Sequence, residues 1–204
     1  MKMTFVFGAT MLISLARLPG SATGQEMPDS ARQAELMAEY QKMAMPGDEH
    51  KVLYALAGVW NQEIKFWPEP GAQPLVSTGT TVNKAILGGR FMQCNSVSGE
   101  GELTTQSLII LGYDRRHQCY TSVGFDTWGT YYVTAAGQYD DSTKTMVLYG
   151  EDEDPIWGIV QQYDMIISIP DKDTFISEVV FKDQAHTKGG EPFKAVEIIS
   201  RRAK

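Results

Sequence analysis

The chain has little of several things that would point directly to a chemistry. Its 204 residues hold two cysteines and three histidines, so neither a zinc cluster nor a densely disulfide-bonded scaffold fits. No Gly-x-Ser-x-Gly elbow occurs, and no glycine-rich phosphate loop follows a strand and opens a helix. Basic residues are outnumbered 18 to 25, giving a net charge of −7, and adjacent basic pairs occur only at Arg115–Arg116 and Arg201–Arg202. Nucleic acids and anionic membranes require a positive footprint, so neither is an expected partner. Beyond residue 16 no apolar run approaches the ~20 residues of a membrane-spanning helix, so stable membrane insertion is not expected.

What is present begins with a targeting pattern. Lys2 precedes the apolar run "MTFVFGATMLISLA", and the small residues of "PGSATGQ" follow. This reads as a signal peptide over residues 1–24, cut after Ala22 or Gly24; the alternative is an uncleaved anchor. No cysteine lies near the cut, which argues against a lipid-anchored form. A secreted or periplasmic protein is expected, still more acidic once Lys2 and Arg17 are removed.

Residues 25–47 form a helical segment. Ser30 can cap it, Leu36, Tyr40 and Met43 recur at helical spacing, and Pro46–Gly47 stop it. "DEHKVLYALAG" is a second short helix ended by Gly58. From Val59 the period changes to two: Trp60, Ile64 and Phe66 alternate with Asn61, Glu63 and Lys65. About ten such strands follow at short intervals, separated by turns such as "DRRH", "DDST" and "PDKD". Sequential hairpins favour an antiparallel meander. Ten strands with an apolar face best remove their free edges by closing, so the expected fold is a mainly β, up-and-down barrel over residues 48–204; a two-sheet sandwich is the alternative. Cys94 and Cys119 then lie two strands apart, roughly 9–10 Å, beyond the ~7 Å Cα limit of a disulfide. Two buried free thiols are expected; a bridge would require a different strand order.

The motifs "LAGVWN", "LGGRF", "LGYD", "DTWGT", "GQYD", "DKDTF" and "EIISRR", in that order, resemble domain-of-unknown-function family 1579. That resemblance implies no activity. More loosely, the pattern is similar to calycin-type ligand-binding barrels (lipocalins, fatty-acid-binding proteins, nitrobindins). There a Gly-x-Trp opens the first strand and a basic residue near the last strand covers the indole. The resemblance implies structural closure by Gly58, Trp60 and Arg202, or Arg201; alternation on the last strand favours Arg202. Nitrobindins hold haem through a histidine. Here His50 starts a helix, His117 lies in a turn, and His186 does not match that motif, so no haem and no other cofactor is expected.

Candidate ligand-binding residues are Arg90, Tyr113, Asp126, Trp128 and Tyr132. Arg90, if inward, could grip a carboxylate, or pair structurally with Asp114 or Asp126. Tyr113, Asp126, Trp128, Tyr131 and Tyr132 combine apolar bodies with polar tips, as pocket walls do; core packing and turn capping are equally good readings. Tyr132, Thr134, Ala136 and Gln138 share one face of their strand, where small residues could leave room for a ligand. "EDEDP" (residues 151–155) could hold a hard cation but reads better as a solvated turn; no metal is expected. No residue merits a catalytic assignment. The leading expectation is a barrel binding a small apolar or amphipathic molecule in a cavity on the order of 300 Å³. An enzyme at the barrel mouth and a ligand-free interaction module are the alternatives.

Overall fold

The computed structural model describes residues 29–101, 104–154, 158–182 and 190–204. The expected signal peptide and His186 lie outside these. The chain divides into two units, Met1–Ala38 and Glu39–Lys204. Helix α1, Ser30–Met43, crosses that division and buries no residue. Its N-cap is Asp29 rather than Ser30: the Asp29 carboxylate accepts the Arg32 N–H at 2.8 Å, and Ser30 is already helical. None of the described helices is long and apolar enough to cross a membrane.

Helix α2, His50–Ala55, is shorter than its sequence pattern suggests. Ten strands follow: β1 Gly58–Phe66, β2 Leu75–Ile86, β3 Phe91–Ser98, β4 Thr105–Asp114, β5 Cys119–Asp126, β6 Val133–Asp140, β7 Thr145–Asp154, β8 Ile159–Asp171, β9 Thr174–Phe181 and β10 Phe193–Arg202. Each pairs antiparallel with its sequence neighbours, and β1 pairs with β10, so the sheet is a closed barrel with no free edge. The sandwich alternative is thereby excluded.

Register fixes which side chains enter the barrel. Trp60 faces Thr81 on β2 and Arg202 on β10, and the Met92–Leu111 and Leu148–Met165 pairs continue the inner layer. One end of the barrel is stoppered by α2, whose Leu53, with Leu56 just beyond it, is almost fully buried alongside Trp60, Met92 and Met146. The inner face of β6 is the reverse of the one expected. Ala135, Gly137 and Tyr139 point inward, while Thr134, Ala136 and Gln138 point to solvent and Tyr132 precedes the strand. Close packing accompanies this arrangement: the β7 backbone at Val147 crowds Gly137, and on β7 itself the Tyr163 ring fills the space that Gly150 leaves.

Cys94 on β3 and Cys119 on β5 are free thiols. Cys94 is buried, and burial pushes its thiol up to about 12. Cys119 is only partly buried, contrary to expectation, because β5 turns Tyr120 inward and Cys119 outward.

Candidate functional site

At the stoppered end, the chain enters β1 through Gly58, whose φ of +132° suits glycine alone; a Cβ there would sit 2.5 Å from an Arg202 nitrogen. Two residues on, the Trp60 ring is 1% exposed. It packs edge-on to Phe175 at 4.8 Å and donates its indole N–H to the Leu56 carbonyl at 2.9 Å. The Arg202 guanidinium lies 4.0 Å from the ring centroid. That guanidinium also donates to the Ala57 and Lys172 carbonyls, joining the start of β1 to the β8–β9 turn. This is a plug: every polar group on it is satisfied by the chain.

Beyond the plug the barrel keeps an interior cavity of about 160 Å³, half the expected size. Its wall has two characters. On β8–β10 it is mostly apolar, with Met165, Ile167, Val179 and Ile198 beside Ser177. On β1–β4 polar side chains interleave with Ile64, Ile109 and Leu111. Gln62 donates to Ser200 at 3.3 Å, Thr81 to Asn83 at 2.8 Å, and Asn83 to the Leu56 carbonyl at 2.9 Å. Further from the plug, Ser96, Ser98, Ser107 and Ser177 line the cavity, and among the described residues their hydroxyls have no hydrogen-bond partner. Glu178 borders the space, but its carboxylate is held by Lys194 at 2.8 Å in a ladder with Glu197 and Lys65. The interior therefore offers hydroxyls and apolar surface but no unpaired charge.

A second concavity, of about 400 Å³, lies at the stoppered end between the 40–45 segment and the barrel rim. Its walls are Met43, Met45, Phe91 and Tyr113, with Arg90, Arg115 and Arg116 around it. Arg90 does not enter the barrel and pairs with neither Asp114 nor Asp126. Its side chain donates to the carbonyls of Ala44 at 2.8 Å and Leu87 at 3.0 Å. Arg115 donates to those of Lys42 at 2.7 Å and Met45 at 3.2 Å. The two arginines thus satisfy carbonyls that the end of α1 leaves without helical partners. Arg116 and His117 bind Asp114 and hold its carboxyl well below the usual carboxylate range.

His50, which also lines this groove, is 3% exposed. Its Nδ1 accepts the Gly47 N–H at 3.1 Å, which leaves the neutral ring protonated at Nε2. The ring is therefore a donor and not a general base. Burial lowers its pKa; Glu49 opposes that shift, and Arg115 and Arg90 reinforce it. An unfolded chain then binds a proton near the ordinary 6.5 that the folded chain refuses. Folded stability contributed by neutral His50 is complete above 6.5 and is lost as pH falls below it. Glu197, held below its ordinary 4.5 by Lys194 and Lys65, acts in a lower window. Urea midpoints should therefore fall between pH 6.5 and 4.5 in the native protein, and His50→Gln should flatten that slope without altering the decline below it. An unchanged slope in His50→Gln would assign the effect elsewhere.

The sequence-predicted site residues fall at opposite ends of the barrel. Arg90 and Tyr113 share the groove, where Tyr113 packs edge-on against His50 and Tyr120. Asp126, Trp128 and Tyr132 lie on the β5–β6 connection at the other rim. Asp126 accepts the Trp128 backbone N–H at 2.8 Å, the Trp128 indole donates to Thr105 at 3.0 Å, and the Tyr132 ring lies 6.0 Å from Phe125. Neither group lines the interior cavity. The serines that do went unnoticed, although their recurrence at alternate positions (96 and 98) is the signal that would have found them. Glu151–Asp154 is strand rather than turn, paired with β8, and Glu151 accepts bonds from Tyr149 and Gln162. Among the described residues no group of three acids, histidines or cysteines could hold a metal ion.

Comparison with known proteins agrees with this architecture. No curated protein matches the chain. Among solved structures, the crystal structure of Rv2717c from M. tuberculosis is similar, with a TM-score of 0.55 at 13% identity, covering 78% of this chain and all of that one; at that identity the likeness is one of fold alone. The model of a family described as "Protein of unknown function (DUF1579)" matches residues 45–202. The chain belongs to that family.

Proposed function

We propose that the protein binds a small, uncharged, amphipathic molecule inside the barrel, with one polar group against the serines and an apolar body against Met165, Ile167 and Ile198. One observation carries this reading: a cavity of about 160 Å³ lined by four serines beside a β8–β10 wall that is mostly apolar. The four serines are only partly buried, so a ligand with acceptors or donors of its own would take the place of water at their hydroxyls. The size suits a single ring, since cavities of about 150 Å³ hold benzene. A charged ligand is disfavoured because no opposite charge awaits it. A cavity of about 160 Å³ supports a ligand far smaller than haem. The signal-peptide pattern of residues 1–24 supports a periplasmic or extracellular setting for this activity.

The test is thermal unfolding of the full protein with benzyl alcohol, phenol and benzamide. At least one should raise Tm, the stabilisation growing with the logarithm of ligand concentration to about 2.7 kcal/mol at a hundredfold excess over Kd. Ser107→Leu, which fills the cavity and removes a hydroxyl, should abolish the rise. No Tm rise with any of the three, or an undiminished rise in Ser107→Leu, would remove the proposal.

A further inference from the structure

The geometry points to a second binding site, independent of the first: the rim groove takes a small amphipathic carboxylate, such as a medium-chain alkyl acid. Three features converge on that class. The groove is about 400 Å³, within the range of small-molecule sites. Its walls hold large apolar side chains that remain exposed to solvent, Met43 at 38%, Met45 at 57%, Phe91 at 37% and Tyr40 at 62%, and the methionines can re-pack around an alkyl chain. Its polar groups are mostly donors.

The charge count gives the ligand its sign. Arg90, Arg115 and Arg116 face two nearby carboxylates, Asp114 and Glu49. Asp114 is held by Arg116 and His117. Glu49 makes no ion pair among the described residues, although its Oε2 and the Arg115 guanidinium both crowd the space a Cβ on Gly47 would take. Three cations against two anions leave one positive charge in an otherwise acidic chain. Arg90 and Arg115 contact carbonyl oxygens and, through Arg90, the Met45 sulfur. Among the described residues the arginine ion pairs are Arg116–Asp114 and Arg202–Asp173. The Nε and Nη2 donors of Arg115 have no acceptor among the described residues, and a guanidinium fork matches the two oxygens of a carboxylate. His50, with its ring proton on Nε2, adds a donor to the lining and no competing acceptor. A carboxylate with its alkyl chain along Met43, Met45 and Phe91 would satisfy the charge and cover the apolar wall together.

Calorimetric titration of the full protein with sodium octanoate and with 1-octanol tests this. Octanoate should bind about tenfold tighter than octanol, the cost of one charge-assisted contact. Raising NaCl from about 0.05 to 0.5 M should weaken octanoate severalfold and leave octanol unchanged. Arg115→Gln and Arg90→Gln should each reduce the acid-over-alcohol preference, whereas Ser107→Leu should leave octanoate binding intact. Equal affinity for acid and alcohol, no octanoate binding, or a salt-independent preference would overturn the proposal on the native protein alone. Loss of octanoate binding in Ser107→Leu would move the acid into the barrel and equally refute the groove. The benzyl alcohol experiment has no bearing on these outcomes, so the two sites stand or fall separately.

Discussion

Trp60→Ala should destabilise the protein by about 3–5 kcal/mol, the cost of removing a large buried ring that its surroundings cannot collapse to fill. The ring is almost wholly buried, and its neighbours belong to four different segments: Leu56 after α2, Thr81 on β2, Phe175 on β9 and Arg202 on β10. Domains of this kind are stable by only about 5–15 kcal/mol, so the variant should lose about a fifth or more of its margin and show a large drop in urea midpoint. Trp60→Phe separates the parts of that cost. It keeps a ring against Phe175 and gives up the indole N–H, yet the Leu56 carbonyl still accepts from Asn83; the loss should be about 1–2 kcal/mol. Combined with Arg202→Met, a double-mutant cycle should return a coupling of about 1 kcal/mol for the ring and guanidinium. Denaturation of Trp60→Ala within about 1 kcal/mol of native would mean that the plug does not support the fold.

The second large effect is expected at Gly137. A Cβ at this position would lie 2.0 Å from the Val147 carbonyl oxygen and 3.0 Å from the Leu148 Cα. These are backbone atoms of the partner strand, so no side-chain rotation relieves the clash, and β6 and β7 must part. Gly137→Ala should cost about 3 kcal/mol or more, at the upper end of overpacking effects. Gly124→Ala provides the contrast on the adjacent strand. Its Cβ would meet only the Val133 side chain, at 3.3 Å, and Ile109, at 3.9 Å, and should cost less than about 1 kcal/mol. Equal midpoints for the two variants would show that the close approach of β6 to β7 is not a real constraint.

The strand order was legible because turn residues punctuate the chain at short intervals and no helix interrupts the strands. The inner face was legible only where it is apolar. On β2 and β3 the rule inverts: Val76, Val82 and Val97 are about half exposed or more, while Thr81, Asn83 and Ser96 face inward. A reading that sends apolar residues inside cannot find a polar wall, and that wall is where the proposed ligand contacts lie. Asp126, Trp128 and Tyr132 were conspicuous for the opposite reason. Aromatic residues beside aspartate look the same in a pocket and in an exposed connection whose aspartate caps a turn. Arg90 was ambiguous because its partners beyond the end of α1, the Ala44 carbonyl and the Met45 sulfur, lie some 45 residues away and leave no trace in local pattern.

The seam between β1 and β10 also sets an order of events. The Arg202 bond to Ala57 spans 145 residues, and the Gln62–Ser200 bond 138, whereas the hairpins from β2 to β9 join neighbours along the chain. Loop closure over such separations is entropically costly. The hairpins should therefore form early, and the first and last strands should meet only after the transition state. The contact of Trp60 with Arg202 is then a late bolt: losing it should leave the folding rate nearly unchanged and shorten the lifetime of the folded barrel.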